Sequence, residues 1–195
     1  MFFVKQWLNS RKYKKLVGKI LADPRYQKNV EYGEPRPGHP EGKVKAHLAE
    51  LEANLEKLKP RLKNDAAYWK LKFLIHTHDT FKAVSLRGVA ITDPLSHASL
   101  ARAFAAEFTN DADLLNMIQF HDEGHALWRQ REYKGVYSAE RFQELLTTVK
   151  DWDLFLLFNI IDGCTEGKDR EKVIWFVTEV KKHRDTRVDE TWVLK

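Results

Sequence analysis

The sequence predicts an all-α, single-domain helical bundle, and three observations predict it. Apolar residues recur at helical spacing in one segment after another, no stretch sustains period-two alternation, and Pro, Gly or Asp interrupts the chain where each stripe breaks. The 195 residues are 43% hydrophobic and 31% charged, enough for one domain with a sizeable core. No internal repeat or low-complexity run divides the chain, so residues 1–195 read as one domain.

The first helix is expected over residues 4–22, with Trp7, Leu8, Leu16 and Ile20 on its apolar stripe and Asp23-Pro24 as its stop. The Pro- and Gly-rich residues 29–42 read as a long loop. Residues 43–58 carry Val44, Leu48, Leu51, Leu55 and Leu58 on one face, and Pro60 ends them. A third helix is expected over 66–81 and a loop over 83–94. A fourth starts near Leu95, capped by Ser96 or Asp93, and carries Leu100, Ala101, Phe104, Ala105 and Phe108. Asn110-Asp111 breaks it, and a fifth from about Ala112 presents Leu114, Met117 and Ile118. Residues 125–135 are polar and expected to be partly looped. Ser138 then caps a helix bearing Phe142, Leu145, Leu146 and Val149. Residues 152–161 form a buried helix ended by Gly163, and a last helix over 170–182 buries Val173, Ile174, Phe176, Val177 and Val180. The charged tail after His183 is expected to be loosely held.

Charge and cysteine content narrow the function. The net charge of +5 is modest and spread out, which suits an anionic substrate and supplies no dense basic arm for nucleic acid. The single cysteine, Cys164, excludes an intrachain disulfide and a thiolate-rich zinc site, and a reducing cytoplasm is the expected setting. No segment reaches the length of a membrane span, and the N-terminus lacks the apolar core of a signal peptide. The basic opening helix is expected to pack on the domain rather than lie on a membrane.

The chemistry lies in polar groups on faces that should be buried. Leu74 and Ile75 precede His78 and Asp79 by four residues, so both members of the dyad follow the apolar side of their helix. His47 lies among Val44 and Leu51, His97 precedes Leu100 and Ala101, and His121 follows Met117 and Ile118. Asp162 follows Phe158 by four, near the negative end of the most apolar helix, where an unpaired carboxylate is unfavourable. A lone histidine at such a place is ordinarily a hydrogen-bonded core residue; the joint pattern of four imidazoles and two carboxylates suits one or two metals such as Fe, Mn, Co, Ni or Zn, with Mg admitted.

The order His47, His78-Asp79, Asp162 resembles the H…HD…D pattern of the HD-domain superfamily of metal-dependent phosphohydrolases. HDTFK at His78 to Lys82 resembles its HD-x-x-K segment, and GHPEGKVKAH at Gly38 to His47 resembles the first-histidine segment of HD domains related to tRNA nucleotidyltransferases. His97 and His121 match the longer H…HD…H…H…D version, which implies a two-metal centre bridged by Asp79 in a core of about residues 39–165. The HTHD spelling offers His76 as a competing ligand, and His121-Asp122 is a second HD pair.

The resemblance implies hydrolysis of a nucleotide or other small phosphate ester, with His47, His78, Asp79, His97, His121 and Asp162 as ligands. Asp79 would act catalytically as the bridge, and Glu123 or Asp122 would relay a proton. Lys82, His125 and Arg129 would bind the phosphorylated substrate, while Lys82 reads equally as a solvated helix-end lysine and Arg131 as a surface residue. The same ligand set serves mixed-valent di-iron oxygenases of the superfamily, and a non-catalytic helical binding module is a third reading. Homo-oligomerisation is left open.

Overall fold

The computed structural model describes residues 2–37 and 40–195, with side chains from Trp7 onward. Gly38 and His39, at the head of the GHPEGKVKAH segment, lie outside the described residues. The architecture is all-α, and no strand occurs among the described residues. The described residues form ten α-helices in order: α1 (Phe2–Leu21), α2 (Pro24–Asn29), α3 (Val44–Leu58), α4 (Asp65–Thr77), α5 (His97–Ala106), α6 (Ala112–Gln119), α7 (Glu123–Lys134), α8 (Ala139–Thr148), α9 (Trp152–Gly163) and α10 (Glu171–Lys181). Among the described residues no helix is long and apolar enough to cross a membrane.

Helix α4 is the hub. It packs on α1, α3, α5, α6 and α9, and its Leu71, Phe73, Leu74 and Ile75 are fully enclosed. The Val44, Leu48, Leu51, Leu55, Leu58 stripe of α3 is buried as its spacing requires. Short polar side chains start many of the helices by accepting backbone N–H groups: Asp23 for α2, Asn64 for α4, Ser96 for α5, Asp111 for α6, Ser138 for α8 and Asp151 for α9.

The structure corrects several expectations. Helix α4 stops at Thr77 and not at residue 81, because the polar run after Ile75 takes the last carbonyls. The Thr77 and Thr80 hydroxyls donate to Phe73 O and His76 O, and His78 Nδ1 faces Leu74 O and Ile75 O. On α1 the buried stripe is Tyr13, Leu16, Val17 and Ile20, while Trp7 and Leu8 are each 55% exposed. Ile174 likewise lies on the exposed side of α10.

The polar residues 125–135 are helical, ended by Gly135 in the left-handed region at φ 72°. Asp23-Pro24 does more than stop α1: the aspartate caps α2 and the proline occupies its first turn. The C-terminal tail is tied down. Thr186 Oγ1 and the Arg187 backbone N–H donate to Asp153, Val188 is fully buried, and Arg170 Nε donates to Leu194 O.

Two glycines set how closely α10 can approach the centre of the molecule. A Cβ on Gly163 would lie 2.3 Å from Val173 Cγ2, and one on Gly124 would lie 2.9 Å from the Phe176 ring. Both partners are on α10, so α7 and α9 meet that helix through the missing side chains.

Candidate metal centre

Three helices and two turns deliver the sequence-marked histidines and carboxylates to one place. His47 comes from α3, His97 from the first residue of α5 and Asp162 from the last turn of α9. His78 and Asp79 occupy the turn after α4, and His121 sits in the turn between α6 and α7. His47, His78, Asp79 and His121 are buried, while His97 and Asp162 are partly exposed.

The six groups divide into two triads. One ligand atom from each of His47, His78 and Asp162, and likewise from each of Asp79, His97 and His121, lies within 4.8 Å of the others in its group. Either triad could hold a metal ion. Asp79 stands between them. Its Oδ2 is 3.3 Å from His78 Nε2 and 3.9 Å from His47 Nε2, while its Oδ1 is 3.5 Å from His121 Nε2 and 3.8 Å from His97 Nε2.

Neighbouring acceptors fix which ring nitrogen faces the centre. A carbonyl can only accept, so His78 Nδ1–H donates to Ile75 O at 3.0 Å and His121 Nδ1–H to Ile118 O at 2.8 Å. Both rings therefore turn Nε2 inward. His47 has the Glu41 carboxylate 3.2 Å from Nδ1 and Asp162 Oδ1 2.9 Å from Nε2. An acceptor behind the imidazole is the usual outer support of a metal-ligating histidine.

The donor set fits a cation better than it fits itself. His78 Nε2 and Asp79 Oδ1 are buried without a hydrogen-bond partner. Two Nε2 atoms, those of His97 and His121, face each other at 3.2 Å. Buried polar atoms in such a state are costly unless something binds them.

Lysines stand against both carboxylates of the centre. Lys82 pairs with Asp79, and Lys168 Nζ lies 2.9 Å from Asp162 Oδ1. Burial opposes a charge on His121, but Asp122 and Asp79 outweigh it and push that imidazole up to about 9. Burial would raise the Asp79 carboxyl, yet its basic neighbours, Lys82 among them, hold it well below the usual carboxylate range. For His78 burial wins and holds the imidazole below its ordinary value. A neutral imidazole with an inward lone pair is the state a metal requires.

The structure resolves the competing candidates. His76 points away from the centre, with Nδ1 2.8 Å from the Tyr26 hydroxyl and Nε2 2.8 Å from Glu52 Oε1, so both nitrogens are taken. Glu123 is buried and bound to Arg141 at 2.7 Å, whereas Asp122 Oδ2 lies 3.2 Å from His97 Nε2. Asp122 is therefore the better placed of the two for moving a proton. Lys82, His125 and Arg129 all line a cleft of ≈ 730 Å³ beside the second triad. Arg131 instead pairs with Glu132 and covers the Trp175 ring.

Lys168 escaped the sequence reading. Its signal is the Gly-containing turn six residues after Asp162, which returns a cation to that carboxylate. Asp122 was legible as the partner of His121 in a second HD pair and as the alternative to Glu123 for relaying a proton. Compared with known proteins, the chain matches no family model, no curated protein and no solved structure.

Proposed function

We propose that the chain is a two-metal phosphohydrolase of the HD-domain type, acting on a nucleotide or another small phosphate ester. The observation that carries this reading is Asp79 standing between the two triads, one oxygen toward each. His47, His78 and Asp162 would hold one divalent ion, and His97 and His121 the other, with Asp79 shared. Such ions, when bound, supply a nucleophilic hydroxide near neutral pH and polarise a phosphate ester.

The chain's own groups do the rest. Lys82 and Lys168 neutralise Asp79 and Asp162 in the absence of metal, and ions at those carboxylates free both ammonium groups for phosphate oxygens. Arg129 and Arg141 face the larger cleft, with Arg141 held by Glu123. Bidentate guanidinium contacts there orient an anionic ester. Asp122, lining the cleft beside His97, is placed to take up or return a proton on the leaving-group side.

The test is phosphate release from a panel of nucleotides and simple esters by protein loaded with Mn, Co, Ni, Zn or Fe in turn. Release that requires a divalent metal and is lost in Asp79→Asn supports the reading. Two irons per chain with a mixed-valent EPR signal and oxygen uptake, without phosphate release, would replace it with the oxygenase that the same ligands can serve.

A further inference from the structure

Two cavities meet at the candidate metal centre, and they differ in size and lining. The ≈ 730 Å³ cleft runs along the loop of residues 85–91 and α7 and touches the centre through Lys82, His97 and Asp122. A second cavity of ≈ 190 Å³ lies on the α9–α10 side and is bordered by Asp122 and by Asp79, His121 and Asp162, the last three drawn from both triads. Lys82, Asp122 and His125 line both and mark the passage between them. Pockets for drug-sized organic molecules run about 300–1,000 Å³. The larger cleft falls in that range and the smaller falls below it.

The smaller cavity is lined by carboxylates and lysines together, and one of those lysines is in direct contact with no carboxylate among the described residues. Lys168 and Lys172 both line it. Lys168 is bound to Asp162, but Lys172 makes no ion pair or hydrogen bond among the described residues, although its side chain is partly buried. Burial and the neighbouring Lys168 hold the Lys172 ammonium below its ordinary value, against the opposing pull of Asp162, Asp122 and Asp169. Gly163, next to Asp162, packs against Val173, next to Lys172, so the end of α9 and the start of α10 meet at this wall.

We infer that the small cavity is a phosphoryl subsite closed by Lys172 and Lys168, and that the substrate is a phosphate monoester whose organic part lies in the large cleft. A dianionic phosphoryl group supplies the charge that Lys172 lacks and brings its oxygens to the carboxylates that would carry metal. A diester has an organic group on both sides of phosphorus, and the small cavity, at ≈ 190 Å³ against ≈ 730 Å³ for the cleft, offers its second group much less space than the first. The inference rests on the metal-site reading above and narrows its substrate class.

The experiment measures binding of inorganic phosphate, phenyl phosphate and diphenyl phosphate to Mn-loaded protein by calorimetry, with Mn counted separately in every variant. Lys172→Ala is expected to weaken phosphate and phenyl phosphate roughly 10-fold, the scale of one charge-assisted contact. Lys172→Arg is expected to restore them, and Mn content stays at the wild-type level in both. Diphenyl phosphate is expected to be insensitive to Lys172. Unchanged monoester affinity in Lys172→Ala overturns the subsite, as does an equal loss for diphenyl phosphate or no phosphate binding by the wild type. Failure of the hydrolase reading looks different: the binding pattern holds, yet phenyl phosphate is not cleaved.

Discussion

Two polar clusters are packed into this helical core, and only one of them balances itself. At the α1–α4–α6 junction, Asp111 caps α6, accepts the Tyr13 hydroxyl at 2.5 Å and pairs with Lys70 at 2.8 Å. Each polar group there answers another. At the junction of α3, α4, α5 and α9, His78 Nε2 and Asp79 Oδ1 stay without hydrogen bonds, and the His97 and His121 nitrogens confront each other. The first cluster is complete as architecture. The second could be completed by metal ions, since its imidazoles and carboxylates gather into two groups that could each hold one.

The difference can be broken most strongly at Asp79. Asp79→Asn keeps the shape but removes the shared charge. It is expected to lower metal affinity by more than about 100-fold, beyond the range of outer-shell changes, with phosphate release lost alongside. Metal titration by calorimetry checks it. Glu41 tests the layer behind His47: Glu41→Gln should lower metal affinity by ~10–100-fold while leaving the helical circular dichroism intact. A folded Glu41→Gln variant with wild-type affinity would remove the carboxylate from the account.

Gly163 tests the packing between the site and α10. An added methyl must displace Val173, and Gly163→Ala should cost about 1–3 kcal/mol in urea unfolding. The smallest effect belongs to the self-balanced cluster. Burial acts to raise the Asp111 carboxyl, but Lys70 and Tyr13 outweigh it and lower it below the ordinary value of 3.8. A depressed carboxyl contributes stability that is fully present above its unfolded value and is lost as pH falls through the folded one. Asp111→Asn, which keeps the helix cap, should therefore flatten the acid limb of the stability profile and cost about 1–2 kcal/mol at pH 7, with metal content unchanged. A shifted metal stoichiometry in that variant would show that the two clusters are not independent.

The ease of reading each part from sequence follows the same physics. The stripe of α3 was plain because every fourth or third residue is large and apolar. Helix α7 was obscure because its buried positions are Glu123, Gly124 and Leu127: a glycine fitted to Phe176 and a glutamate tied to Arg141 leave no stripe to count. The histidines of the two triads could be picked out because imidazoles on apolar faces break the pattern. His76 breaks it equally well, and only the Tyr26 and Glu52 partners supplied by distant helices tell it apart from His78. Lys168 and Asp122 gave no periodic signal, since both lie in turns or at helix ends, where position depends on tertiary packing rather than on repeat. The tail resisted for a related reason: Asp153, which anchors it, stands more than thirty residues earlier in the chain.

The central claim is that one carboxylate joins two metal sites. Its most direct test is Mn(II) stoichiometry with an EPR spectrum on chelator-stripped, reloaded protein. The account predicts two ions per chain with an exchange-coupled spectrum, falling to uncoupled or no bound Mn in Asp79→Asn. One isolated ion per chain, or no ion at any concentration, would contradict it.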